Sequence, residues 1–178
     1  MKRFSKFAWI ALAAVCVVLV LGVIAAILWY QRADPLLNNG LTTFSSPEGK
    51  KIYTIELVNA SDSDIDIRSI SVNGGKQPDF AKLGITYDSE QTVQYFGDQT
   101  DPATEIMELH EAAIEPQLSR EEKQAVFASN ATSKQHTPIH YGVVVQYDKE
   151  PIREVTIRYT YLGFTKEKRI TNWFDSDR

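Results

Sequence analysis

The ten residues REVTIRYTYL, Arg153 to Leu162, decide the fold. Val155, Ile157, Tyr159 and Tyr161 alternate with Glu154, Thr156, Arg158 and Thr160. A period of two puts the first set on one side of an extended chain and the second set on the other. β-Branched and aromatic residues suit such a half-buried, pleated surface. The segment is predicted to be a strand with Ile157 and Tyr159 turned inward and Thr156 outward.

The same pattern extends in both directions. On the C-terminal side, Leu162-Gly163-Phe164 turns the chain into a last strand, Thr165–Trp173. On the N-terminal side, Asp148-Lys149-Glu150-Pro151 is a turn, and Ile139–Tyr147, with Val143, Val144 and Val145, is a buried strand. The short turn predicts that the strands of Val144 and Ile157 are sheet neighbours. Further back, Ser46-Pro47-Glu48-Gly49 has proline and glycine where a type I turn wants them, joining Leu41–Ser45 to a strand over Lys51–Asn59. Asn59–Asp64 is a polar turn. Ile65 and Ile67 are in one apolar phase and Ile70 and Val72 in the other, which predicts a bulge or bend between them. Gly84–Tyr87 and Gln91–Phe96 are two short strand candidates. Thr104–Ile114 fits helix or strand. Ser119 and Glu122 have the spacing of a capping box, so a turn of helix starts there, although Ala125–Ser129 also suits an edge strand. Seven to nine short strands with turns between them predict an all-β fold, an antiparallel β-sandwich of immunoglobulin-like kind.

That domain is predicted to follow one N-terminal transmembrane α-helix. Phe7 to Tyr30 carries no charged side chain, with Trp9 near one end and Trp29 and Tyr30 at the other. As a helix it reaches ~36 Å, enough to cross a ~30 Å hydrocarbon core. Lys2, Arg3 and Lys6 precede it, and Arg32 follows beside Asp34. The basic flank stays inside, so residues 1–6 form a cytoplasmic tail, 7–30 the span, 31–40 a linker and 41–178 an exported domain at the cell membrane. The run is too long for a signal-peptide core, and bulky Ile27–Tyr30 fill the place of a cleavage site. Val15 before Cys16 and the continuing apolar run argue against a lipoprotein anchor.

Composition narrows the function. Removing Lys2, Arg3 and Lys6 from 19 basic residues leaves 16 against 23 acidic ones, a net charge of −7 for the rest. That argues against nucleic acid and against adhesion to anionic lipid. The one cysteine, Cys16, lies in the span, so the exported domain has no disulfide, which favours a bacterial surface over a eukaryotic one.

Candidate chemistry is sparse. His110, Glu111, Glu115, His136 and His140 are metal-ligand types, but Pro138 between His136 and His140 breaks the spacing of a helical zinc site, and scattered surface histidines explain them better. Asp62, Asp64 and Asp66 lack the glycine and distal glutamate of a calcium loop. No Gly-x-Ser-x-Gly elbow occurs, and Gly74-Gly75 marks a turn and not a phosphate loop. No catalytic residue and no cofactor is assigned. Asn59-Ala60-Ser61 and Asn130-Ala131-Thr132 match the glycosylation sequon. Among the aromatic residues of the last third, Trp173 and Phe174 stand where a core thins, and are the binding candidates. Gly22 and Ala26 form a small-x-x-x-small pair on which another helix can pack.

The segment YTIELVNASDSDIDIRSISVNG, Tyr53 to Gly74, resembles exported immunoglobulin-like or fibronectin-like domains, in which a strand ends in Asn and the next reads Ile-x-Ile-x-x-Ile. YGVVVQYDKEPIREVTIRYTYLGFTKEKRI resembles their closing strands. With the anchor, the whole resembles small membrane-anchored proteins of Gram-positive bacteria. The resemblance implies a fold and a place, and it carries no activity and no site residue. The expected role is a noncatalytic interaction or accessory module. Its partners would be the bilayer, through residues 7–30, and another membrane or cell-surface protein. The alternatives are a metal-binding or enzymatic domain on the same sandwich, and a subunit of a membrane complex held through its anchor helix.

Overall fold

The computed structural model describes residues 6–97, 103–129 and 136–174. The chain divides into two compact units, Met1–Asp34 and Pro35–Arg178. The first is one helix, α1 (Lys6–Arg32). It is long and apolar enough to cross a membrane, and its residues from Ala11 to Trp29 are exposed.

The second unit is antiparallel β with one short helix. In chain order it holds β1 (Leu36–Ser45), β2 (Lys51–Asn59), β3 (Asp66–Val72), β4 (Phe80–Tyr87), β5 (Thr104–Met107), α2 (Arg120–Ser129), β6 (Pro138–Gln146), β7 (Val155–Tyr161) and β8 (Phe164–Ile170). The strands form two sheets, β1-β2-β6-β4-β5 and β3-β7-β8. Every pairing is antiparallel.

Each sheet buries one apolar face. On the larger sheet, Ile55, Val143 and Leu83 lie side by side in register, all fully buried. On the smaller one, Ile67, Val155, Ile157, Tyr159 and Ile170 are buried, while Arg158 on the other face is exposed and pairs with Glu167 across β7 and β8. The inward face of REVTIRYTYL is thus the predicted one. The phase slip in β3 is a bulge, with the register shifting between Ile67 and Ser69. The Ser46 turn closes the β1–β2 hairpin: Gly49 N–H donates to the Ser46 carbonyl at 2.9 Å, with Gly49 at φ 82°.

Four expectations are corrected. The strands of Val144 and Ile157 do not pair: β6 lies between β2 and β4, and β7 between β3 and β8. Val143, Val144 and Val145 are all fully buried, so β6 is covered on both faces and flanked on both edges, and no edge is left for β7. The connection after Tyr147 instead crosses to the other sheet. Second, the expected linker 31–40 is mostly structured, since α1 runs to Arg32 and β1 begins at Leu36. Asn38-Asn39-Gly40, residue types that suit a turn, forms a bulge in β1, with the register shifting between Asn38 and Gly40. Third, Gln91–Phe96 is no strand but an irregular strap over the outer face of the larger sheet. There Val93 is buried with Ile52 and Val144, beside Phe44, Phe80, Tyr95 and Ile106. Fourth, Gly84–Tyr87 is only the second half of β4, which begins at Phe80.

The two open segments resolve differently. Thr104–Met107 is strand and not helix. Arg120–Ser129 is helix and not strand, and its capping box is formed: Glu122 N–H donates to Ser119 Oγ at 3.2 Å, and Ser119 N–H to Glu122 Oε2 at 2.7 Å.

Candidate functional site

An open groove of about 990 Å³ lies at the end of the second unit remote from Pro35. Three segments meet there. The β1–β2 turn supplies Glu48 and Lys50, the β6–β7 connection supplies Tyr147 to Arg153, and the chain beyond β8 supplies Trp173 and Phe174. Tyr53 on β2 forms part of the wall, with the Phe174 ring edge-on to it at 5.4 Å.

The loops of this groove are held by polar side chains. Asn73, with φ 46° at the end of β3, fixes the β6–β7 connection from below. Its Nδ2 donates to Glu150 Oε1 and to the Pro151 carbonyl at 2.8 and 2.9 Å, and its Oδ1 accepts from Arg153 N–H at 2.8 Å. Lys76 Nζ lies 2.6 Å from Glu150 Oε1. That bond, followed by the one from Asn73, holds the Glu150 carboxyl below the usual carboxylate range. The same bond raises the Lys76 ammonium above its ordinary value. Asp79 accepts from Asp148 N–H at 2.8 Å, and Lys149 stands 5.8 Å over the Tyr147 ring. The result is a hydrogen-bonded rim that carries both signs of charge beside the aromatic residues Tyr53, Tyr147, Trp173 and Phe174. Such a surface can hold an extended or ring-shaped ligand by stacking and rim hydrogen bonds.

A smaller pocket of about 90 Å³ lies at the other end of β2. His140 Nδ1 and Glu56 Oε1 are 3.2 Å apart there, both mostly shielded, and Asn39 Nδ2 donates to Glu56 Oε2 at 3.3 Å. Tyr141 lines it too, and burial pushes its phenol well above the ordinary tyrosine range.

The candidate metal ligands do not converge. His140 and Glu115 line the small pocket. His136 stacks on Tyr87, ring centres 3.7 Å apart, and lies 3.4 Å from Glu105. His110 and Glu111 sit in the turn after β5, where Glu111 Oε2 accepts from Glu108 N–H at 2.9 Å. Among the described residues no three His, Cys, Asp or Glu side chains form a group able to hold a metal ion, and this covers Asp62, Asp64 and Asp66 as well. Asp66 pairs with Arg68 at 3.4 Å.

Trp173 and Phe174 are brought to the groove. Gly22 and Ala26 both lie on α1. Asn59 is not an open sequon: it is 1% exposed, its Nδ2 donates to the carbonyls of Ser63 and Ile114 at 2.8 Å each, and its Oδ1 accepts from Ser61 N–H at 3.0 Å. Asn130 falls outside the described residues. Sequence reasoning missed Tyr53, Lys149 and Arg153 as groove residues. Their proximity depends on the β2–β6 pairing, Ile52 opposite Gln146, which no local pattern records. Comparison with protein-family models, with curated proteins and with solved structures finds no match to this chain.

Proposed function

We propose that this chain is a single-pass membrane protein whose C-terminal unit is exported and serves as a noncatalytic interaction module on an immunoglobulin-like sandwich. Three things support the frame. An uninterrupted apolar helix, long enough to cross a membrane and exposed along its length, suits a bilayer, and the basic flank Lys2, Arg3 and Lys6 favours an N-terminus inside. Both sheets bury apolar side chains of their central strands within one compact unit, as two sheets packed together require. With β5 set aside, the strand orders β1-β2-β6-β4 and β3-β7-β8 follow the A-B-E-D and C-F-G arrangement of constant-type immunoglobulin domains. The β5 strand then extends the D edge by one.

The observation that carries the function is the aromatic groove. Tyr53, Tyr147, Trp173 and Phe174 present contact area at low entropic cost, beside a β6–β7 connection pinned by Asn73 and Asp79. A pre-formed recognition surface fits a module that binds another surface component. A photoreactive phenylalanine analogue at position 173 of the full chain, in its native cells, should give a discrete crosslinked adduct. The same analogue at Arg169, exposed on β8, should give none. Equal yields at the two positions would contradict the assignment.

A further inference from the structure

The carboxylates that line the groove are all engaged. Glu48 pairs with Lys50 at 3.6 Å. Both oxygens of Asp148 accept from Gln146 Nε2, at 3.0 and 2.9 Å. Glu150 Oε1 accepts from Lys76 Nζ and Asn73 Nδ2, at 2.6 and 2.8 Å. Of the cations, Lys50 is taken by Glu48, and Lys149 lies 3.9 Å from Asp79. Lys51 and Arg153 remain. Both are exposed, both line the groove, and neither has a carboxylate within ion-pair distance among the described residues. Arg153 meets Glu150 only through its longer-range field. The uncommitted charge of the groove is therefore positive, in a chain of net charge −4.

Aromatic surface stands beside these cations. Trp173 is half-buried and stacks on no other ring among the described residues. Tyr147 is 8% exposed, yet its hydroxyl has no hydrogen-bond partner among the described residues. A buried phenol usually finds one, and a ligand in the groove would supply it. Rings with apolar C–H faces and hydroxyl edges match this set, the faces stacking on indole and phenol and the edges bonding to the rim. Sugars have that form. A peptide fits less well: β2, which carries Lys51 and Tyr53, has both edges taken by β1 and β6 and offers no backbone to pair with. A guanidinium and an ammonium at one site call for an anionic group on the ring, carboxylate or phosphate.

We propose that the groove binds an anionic glycan, with Trp173 stacking on a sugar ring, Tyr147 bonding to a hydroxyl, and Lys51 and Arg153 meeting the carboxylate or phosphate. The inference rests on the groove being the recognition surface of the exported unit. Because the chain as a whole is acidic, it does not draw polyanions from a distance, and selection is made by these contacts.

The test uses the full chain in nanodiscs of phosphatidylcholine. Its probes are fluorescein-labelled oligogalacturonate, which carries carboxylates, and a labelled phosphomannan oligosaccharide, which carries phosphates. Anisotropy should show saturable binding of at least one, and the tighter one identifies the anion. Lys51→Gln and Arg153→Gln, at exposed positions that leave the buried faces intact, should each weaken binding about tenfold or more, as for a lost charge-assisted bond. Trp173→Ala should do the same. Arg120→Gln, an equal loss of charge on α2, should leave binding unchanged. A loss of the same size in Arg120→Gln, or binding untouched by the groove variants, overturns the proposal. So does polyglutamate binding as tightly as the glycans, which would assign the groove to an acidic peptide. If neither glycan binds while the analogue at position 173 still gives its adduct in cells, this inference falls and the interaction module stands. If the adduct is missing too, both fall.

Discussion

Gly84 and Gly142 face each other across β4 and β6, and Val93 fills the space that their missing side chains leave. A Cβ at Gly84 would stand 2.4 Å from Val93 Cγ1, and one at Gly142 3.1 Å from Val93 Cβ. Neither glycine has a positive φ, so the constraint is space and not backbone conformation. Gly84→Ala is predicted to destabilise the unit by ~1–3 kcal/mol through overpacking, and Val93→Ala in the same chain to recover part of that loss. Denaturant melts of the two variants and the double variant measure it; strictly additive losses would contradict the contact. Ile157, fully buried, and Thr156, half-buried beside Glu154, form a second contrast. Ile157→Ala should cost ~2–5 kcal/mol and Thr156→Ala within ~1 kcal/mol. The reverse order in melting would mean that the strand faces the other way.

At the scale of elements, Gln91–Phe96 was a short strand candidate beside Gly84–Tyr87, and it is not a strand. Val93 is buried against the sheet, but burial alone brings no ladder of hydrogen bonds with it. β1 shows the converse: Asn-Asn-Gly is turn chemistry in sequence, and pairing with β2 turns it into a bulge. A fragment that starts at Leu41 cuts β1 in half and discards Leu36, which is fully buried. Pro35–Arg178 is therefore predicted to melt cooperatively in chelator, and Leu41–Arg178 to melt at a clearly lower temperature; equal midpoints would show that the first half of β1 contributes nothing. The α2 cap was fully legible because its partners are three residues apart. Hydrogen bonds from the Ser119 backbone and then its hydroxyl hold the Glu122 carboxyl below its ordinary range. A depressed carboxylate contributes stability above its unfolded pKa and loses it as pH falls through the folded, lower value. The first turn of α2 should accordingly loosen on acidification. Ser119→Ala should raise the Glu122 pKa only partway, since the backbone donor remains, and carboxyl titration by NMR would show this. An unchanged Glu122 titration would contradict the cap.

At the scale of the whole molecule, the two units answer different questions. The long apolar helix α1 was plain from sequence because its length and hydropathy depend only on local composition. The bulge at Arg68, the β1–β2 turn and the inward face of β7 were plain for the same reason. The partition of strands between sheets was not, because β6 and β7 are joined by a short connection and still separate. Pairing is decided by which edges are free once β2 and β4 have taken both sides of β6. The groove inherits that difficulty: Trp173 and Phe174 could be named as candidates, but their company could not. The central claim is that α1 spans the membrane and that everything from Pro35 onward lies outside. A fusion after Arg178 of alkaline phosphatase, active only after export, compared with the same fusion to green fluorescent protein, fluorescent only inside, tests it most directly. The account predicts active phosphatase and a dark fluorescent fusion; bright fluorescence with inactive phosphatase would contradict it.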